Sequence, residues 1–300
     1  MKHMKLAGVF ILSLWYSLVD QTLASNDEKS NYLLSVGDIG ARRLEVMDRL
    51  IGAHTRDAIK RVVQSKERIR IADIGAGDGS VSSFIASECG DECLPISLFD
   101  QSTKQLETAK EKLGEKALYI RLDILNSEAV TEYTGQFDVI HVRCLLMHLA
   151  NPQQALQNLI NMLADGGYLI LQEPITSSAW ANQHSEIFEA MNQALLVIGK
   201  FNGGDWDIGS SLETMIEDFK EVSITASWNS NSTANAKETK DLLGLGIKEL
   251  EVPATNIANI DIEEVEKWYR TVMSLDQDSA FEYHLPTQSH LILKKNNTKF

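Results

Sequence analysis

Between residues 69 and 171, short apolar runs alternate with amphipathic helical stripes, and no other feature of the 300-residue chain constrains its fold as tightly. The runs at 69–74, 94–99, 117–122, 137–142 and 168–171 have strand length. Between them Val81, Phe84 and Ile85, then Leu106, Ala109 and Leu113, then Leu156, Leu159, Ile160 and Leu163 recur at helical spacing, with Pro152 at a first-turn position. Strands separated by helices pair in parallel, so the pattern predicts a doubly wound α/β sheet, Rossmann-like. Further runs at 222–228 and 289–293 bring the expected sheet to seven strands. Such sheets bind ligands beyond the carboxyl ends of their strands, near the point where strand order reverses.

The flanks are less regular. Residues 31–65 read as two helices, one carrying Leu44, Met47 and Ile51, the other Ile59, Val62 and Val63. Residues 229–260 are rich in Asn, Ser, Thr and Ala and read as an insertion, extending to about 283 with the helix expected at 261–275. The expected organisation is a targeting segment at 1–24, a helical lid at 25–65 and a catalytic domain at 66–295. Lys2, His3 and Lys5 precede an apolar run at 6–19 and the small-residue site Thr22-Leu23-Ala24, the order of a secretory signal. An uncleaved interfacial anchor or a meaningless extension are the alternatives, and the run is short for a bilayer span. Cytosolic residence is favoured over export or membrane association.

Composition excludes some chemistry. With 28 Lys plus Arg against 42 Asp plus Glu, the chain carries a formal charge of −14, which does not favour a nucleic-acid partner. Cys89, Cys93 and Cys144 form no CxxC pair, so no metal site is expected. Cys89 and Cys93 read either as a disulfide or as two ordinary thiols.

Candidate site residues stand at the strand ends. In Ala72-Asp73-Ile74-Gly75-Ala76-Gly77-Asp78-Gly79 the glycines follow a strand and precede a helix, where missing side chains permit a tight turn and close approach to a ligand. Asp100 ends the second strand, 21 residues after Gly79, where a carboxylate can accept from two ribose hydroxyls. Asp123 ends the third and can accept from an adenine amine. Each of these carboxylates also suits a cap or turn. Arg143, after the fourth strand, reads as a ligand contact or a salt bridge. His148 reads as a proton acceptor or a hydrogen-bonded structural histidine. Trp180 and Trp206 read as pocket walls or core.

The set ADIGAGDG, FDQS, RLDI, FDVIHVR and LADGGYLILQEP resembles, in order and spacing, the class I S-adenosylmethionine-dependent methyltransferases of small-molecule type, closely over 66–175. The resemblance implies S-adenosyl-L-methionine as cofactor. It places Asp73, Gly75, Ala76, Gly77 and Gly79 about the methionine end, Asp100 on the ribose, Gln101 by the adenine, and Asp123 with Ile124 around the ring. Tyr32-Leu33-Leu34 and Arg42-Arg43-Leu44 look like the helical lid of that group, which brings Tyr32 and Arg43 to the cofactor alongside Arg143. Asn202-Gly203-Gly204-Asp205-Trp206-Asp207-Ile208-Gly209 looks like one of its late loops.

A sulfonium methyl is already activated, so transfer is an in-line displacement that needs alignment in a dry pocket. A general base helps only some methyl acceptors. His148 and Arg143 are the catalytic candidates. The stretch His141-Val142-Arg143-Cys144 replaces the Asp-Pro-Pro-Tyr element of adenine-modifying enzymes, which again points to a small-molecule acceptor. Two rivals remain. A nicotinamide-dependent oxidoreductase shares the glycine turn, but its third glycine belongs where Ser80 stands. A catalytically silent adenosyl-binding or interaction domain is the other.

Overall fold

The computed structural model describes residues 38–63, 68–89, 94–276 and 280–297, and its described residues ahead of the sheet form one continuous helix where a break between two was expected. Helix α1 (Asp38–Val63) runs 26 residues. Its buried positions Val46, Ile51, Thr55, Ala58, Ile59 and Val62 continue one face without a break. Gly52 interrupts it chemically but not geometrically. A β-carbon there would lie 2.7 Å from both Asp48 Oδ1 and the Arg56 guanidinium, so the glycine makes room for their 3.1 Å ion pair along the helix.

The predicted alternation follows: β1 (Ile71–Ile74), α2 (Ser80–Cys89), β2 (Ile96–Asp100), α3 (Thr103–Leu113), β3 (Ala117–Arg121), α4 (Ser127–Val130), β4 (Phe137–Arg143), α5 (Pro152–Met162) and β5 (Leu163–Ile175). The C-terminal part contains β6 (Trp180–Ala181), α6 (Ser185–Phe201), α7 (Leu212–Ile216), β7 (Val222–Ser230), β8 (Thr233–Asn235), α8 (Ala236–Asn256), α9 (Ile262–Met273), β9 (Glu282–His284) and β10 (Thr287–Lys295). Seven strands form one sheet in the order β3-β2-β1-β4-β5-β10-β7. Strands β1 to β5 pair in parallel, and β10 runs antiparallel to both β5 and β7. Every residue of β1 is buried, as expected of a central strand covered by helices on both faces. Strand order reverses between β1 and β4, so the loops after β1, β2 and β4 converge there.

Three local expectations change. Strand β5 begins at Leu163, not at residue 168, because Ala164-Asp165-Gly166-Gly167 forms a bulge: Phe137 pairs with Leu163 and Val139 with Tyr168. A β-carbon on Gly167 would meet the Ala164 carbonyl at 2.8 Å, so the bulge closes only on glycine. The Asn/Ser/Thr-rich stretch is largely helix. Asn235 caps α8 by accepting from the Glu238 N–H at 3.0 Å while the Glu238 carboxylate accepts from the Asn235 N–H at 2.9 Å. The sequence from Ser210 to Phe219 also reads as a helix, and only its middle, α7, is helical. Residues 1–37, including Tyr32 and the 1–24 segment, lie outside the described residues, as do Cys93 and the side chain of Cys89. Cys144 is a free thiol. No helix among the described residues is long and apolar enough to cross a membrane.

The face of the sheet under α1 carries a polar seam. His290 on β10 is fully buried, shares a 2.7 Å hydrogen bond with the Ser230 hydroxyl and stacks on Trp228. Burial, with the neighbouring His54 and His141, lowers its pKa to about 4. A histidine whose folded pKa lies below its unfolded value near 6.5 stabilises the fold above that value, and the contribution is lost as pH falls toward 4. His290→Asn should therefore flatten the loss of thermal stability between pH 7 and about 4.5. Melting curves across that range with unchanged slope would show that His290 does not titrate as its burial dictates.

Candidate active site

The crevice begins with backbone geometry. Gly75, Gly77 and Gly79 have φ of +70°, +55° and +74°, left-handed values that side chains disfavour. Gly75 and Ala76 donate their N–H groups to the Phe99 carbonyl at 2.8 and 3.1 Å, tying the turn to β2. Gly79 admits close packing of α3, since a β-carbon there would lie 2.9 Å from Ala109 and from Leu113. Around Gly77 the described residues leave space: among them a β-carbon would meet only Leu44 of α1, at 3.7 Å. Helix α1 therefore passes over the glycine turn.

Asp100 closes the crevice on the β2 side. Its carboxylate accepts from the Gly77 N–H at 2.9 Å and the Ser102 N–H at 2.8 Å. Desolvation pushes its pKa above the ordinary carboxylate value, and these backbone donors only partly offset it. A half-buried, poorly solvated carboxylate beside an open glycine turn suits a ligand that brings hydroxyl donors. Just beyond β3, Ile124 is buried, whereas Asp123 is exposed and accepts from the Leu125 N–H at 2.9 Å, its turn role. Gln101 is exposed, and its carbonyl accepts from Arg121 Nε at 3.2 Å.

Other expected ligands have protein partners. Asp73 is buried. It accepts from the Ser82 hydroxyl and pairs with His141 Nδ1 at 2.8 Å, so it joins β1, α2 and β4 from inside the layer. Arg143 donates to Asp48 at 3.0 Å and to the Thr55 hydroxyl at 3.3 Å, which realises its salt-bridge reading. Thr55 in turn donates to Gln172 at 2.6 Å. Arg43 is buried in an ion pair with Glu249 of α8 at 2.9 Å, while Arg42 is exposed.

On the far side of the reversal point, a 3-10 turn (Leu146–His148) follows β4. Burial and the nearby Arg43 charge hold the His148 pKa down at about 4, so its ring is neutral at physiological pH. That ring meets Trp206 edge-on at 5.6 Å. Trp206 belongs to the 202–209 loop, where the Asp205 N–H donates to the Met147 carbonyl at 3.0 Å. Trp206 is buried, whereas Trp180 is exposed and stacked on His284 at 3.8 Å.

Several functional candidates escaped sequence reasoning. Asp78, a further residue of the glycine motif, is buried; it accepts from the Ser80 N–H at 3.2 Å and pairs with Lys112. Its position two residues before Ser80 was the available signal. Glu173 at the end of β5, His141 inside β4 and Glu249 in the insertion carried no local signature.

Comparison with known proteins agrees with this geometry. The family described as "Methyltransferase domain" matches residues 65–214, half of the chain. Methyltransferase str2 of Strobilurus tenacellus is 25% identical over 210 residues, covering 67% of this chain and 70% of its own. A ubiquinone biosynthesis O-methyltransferase of Caulobacter sp. (strain K31) is 31% identical over 106 residues, 35% of this chain and 40% of that one. A match to the hybrid PKS-NRPS synthetase gkaA of Penicillium citrinum, 28% identical, spans 51% of this chain but only 4% of that protein. A Bacillus halodurans C-125 protein described as a methyltransferase shares the fold with a TM-score of 0.55 at 15% identity, over 81% of this chain and all of that one.

Two glycines separate packing from ligand space. Gly79→Ala should lower stability strongly, since its methyl strikes α3. Gly77→Ala should cost only the left-handed backbone penalty of about 1–2 kcal/mol. Denaturant titrations placing the two variants at equal stability would contradict this division.

Proposed function

This chain belongs to the methyltransferase domain family, and from that membership we propose how its own residues bind S-adenosyl-L-methionine and serve a small-molecule methyl acceptor. The observation that carries the site reading is the pairing of Asp100 with the open, left-handed turn at Gly77, at the carboxyl edge of β1 and β2. The cofactor supplies an activated methyl on a sulfonium, open to in-line displacement.

The residues present fit that group. Asp100 accepts from the ribose hydroxyls, which restores the solvation its carboxylate lacks. The backbone at Gly75, Ala76 and Gly77 allows close approach of the methionine end. Ile124 offers an apolar surface to the adenine, with Asp123 and Gln101 at its rim. Asp73, Arg143 and Arg43 act at one remove: Asp73 fixes the glycine turn, and the two arginines fasten α1 across it. With Leu44 above the turn, α1 and the insertion helix α8 exclude water from the crevice, as an aligned displacement requires.

The methyl acceptor enters on the β4 side, beside His148 and Trp206. A neutral imidazole there accepts a hydrogen bond from a hydroxyl and orients it. With its pKa held near 4, His148 is a weak base, so alignment rather than strong proton abstraction is its part. The acidic surface supports a non-polymeric acceptor over a nucleic acid.

Transfer of label from S-adenosylmethionine into a small-molecule extract tests the activity. Asp100→Ala should weaken S-adenosylhomocysteine binding by about 2–4 kcal/mol, allowing for two charge-assisted hydrogen bonds that do not add fully. Calorimetry giving wild-type affinity in a folded variant would remove Asp100 from the site.

A further inference from the structure

We propose that Glu173 is the positioning residue for the turn after β4, fixing where the His148 ring stands beside the methyl acceptor. What the turn is for rests on the transferase reading above; how it is held does not.

Glu173 lies at the end of β5 with no exposure to solvent. One carboxylate oxygen accepts from the Leu145 N–H at 3.0 Å and the Leu146 N–H at 2.8 Å; the other accepts from the Met147 N–H at 3.3 Å. Three consecutive amides thus converge on one side chain. Within the turn, the His148 N–H donates to the Leu145 carbonyl at 3.0 Å and the Leu149 N–H to the Leu146 carbonyl at 3.1 Å. A single 3-10 turn is too short to set its own direction, so its orientation comes from outside.

Energetics make this an unusual way to hold a turn. Burying a carboxylate is costly, and the donors that offset the cost here are neutral amides. An apolar side chain at the same place would fill the space and leave three amides without acceptors. The geometry around the turn shows what that arrangement fixes. At one end Leu145 lies against the glycine turn, since a β-carbon on Gly75 would come within 3.0 Å of it. At the other end His148 meets Trp206. The 202–209 loop closes over the same anchor: a β-carbon on Gly209 would lie 2.7 Å from the Glu173 carbonyl. Glu173 acts on the His148 ring through the amides of the turn.

Glu173→Gln separates positioning from bulk. Its carbonyl oxygen still serves two amides, but its NH2 group faces the third as donor against donor. Proton NMR of the full chain reads the consequence directly, because the edge contact with Trp206 gives the His148 ring a ring-current shift. In Glu173→Gln that shift should collapse toward the solvent-exposed value while the His290 signal, stacked on Trp228, stays in place. Affinity for S-adenosylhomocysteine should change by less than about threefold, as Glu173 lies outside the cofactor contacts. In the wild type, the Leu145, Leu146 and Met147 amides should exchange at least about tenfold more slowly than an open loop, a measurement that stands even if the variant does not fold. An unmoved His148 signal, unprotected amides, or His148 and His290 shifting together with loss of stability would each overturn the assignment. Failure of the wild type to bind S-adenosylhomocysteine would instead overturn the cofactor reading.

Discussion

Donation of hydrogen bonds to carboxylates at the strand ends organises the working edge of this sheet. Parallel strands finish side by side, and the loops that leave them carry amides with no ladder partner. Asp73 at the end of β1 gathers Ser82 and His141, Asp100 at the end of β2 gathers Gly77 and Ser102, and Glu173 at the end of β5 gathers three amides of the turn after β4. The three differ in exposure, and exposure sorts their roles. Asp73 and Glu173 are sealed and serve the fold of the loops. Asp100 is half-buried, with its carboxylate on the amide of the glycine turn.

The cover of that crevice comes from distant parts of the sequence. Helix α1 is fastened to α8 by the Arg43–Glu249 pair, and to the end of β4 by Asp48 and Thr55 through Arg143. A buried ion pair adds little net stability because both charges lose water. Removing one partner, however, strands the other charge, so such pairs fix register more than they strengthen a fold. Here the register decides which side chain of α1 stands over Gly77, and that side chain is Leu44.

Much of this was legible in the sequence, for a physical reason. The parallel sheet announces itself because its strands are buried on both faces and its crossovers are amphipathic helices, both local patterns. The glycine turn and Asp100 were legible because conformation and position tie them to strand ends. The partners of Arg43 and Asp73 were not, since Glu249 lies 206 residues from the first and His141 lies 68 from the second. Pairing at that distance is a product of topology, and no local pattern encodes it. The composition of 229–260 misled for a different reason: Asn, Ser and Thr suit loops, but Asn235 with Glu238 forms a capping box, and a well-capped helix can follow a polar stretch. Glu173 ends an apolar strand, where a glutamate reads as a solvent-facing edge until its three amide donors are seen.

In this reading adenosyl ligands occupy the crevice between the glycine turn and Asp100, beneath α1. Hydrogen exchange by mass spectrometry, with and without saturating S-adenosylhomocysteine, tests it most directly. Bound ligand should slow exchange in peptides covering residues 75–80, 100–105 and 42–50, with β7 and β9 unchanged. Protection confined to other segments, or none at all with bound ligand, would contradict it.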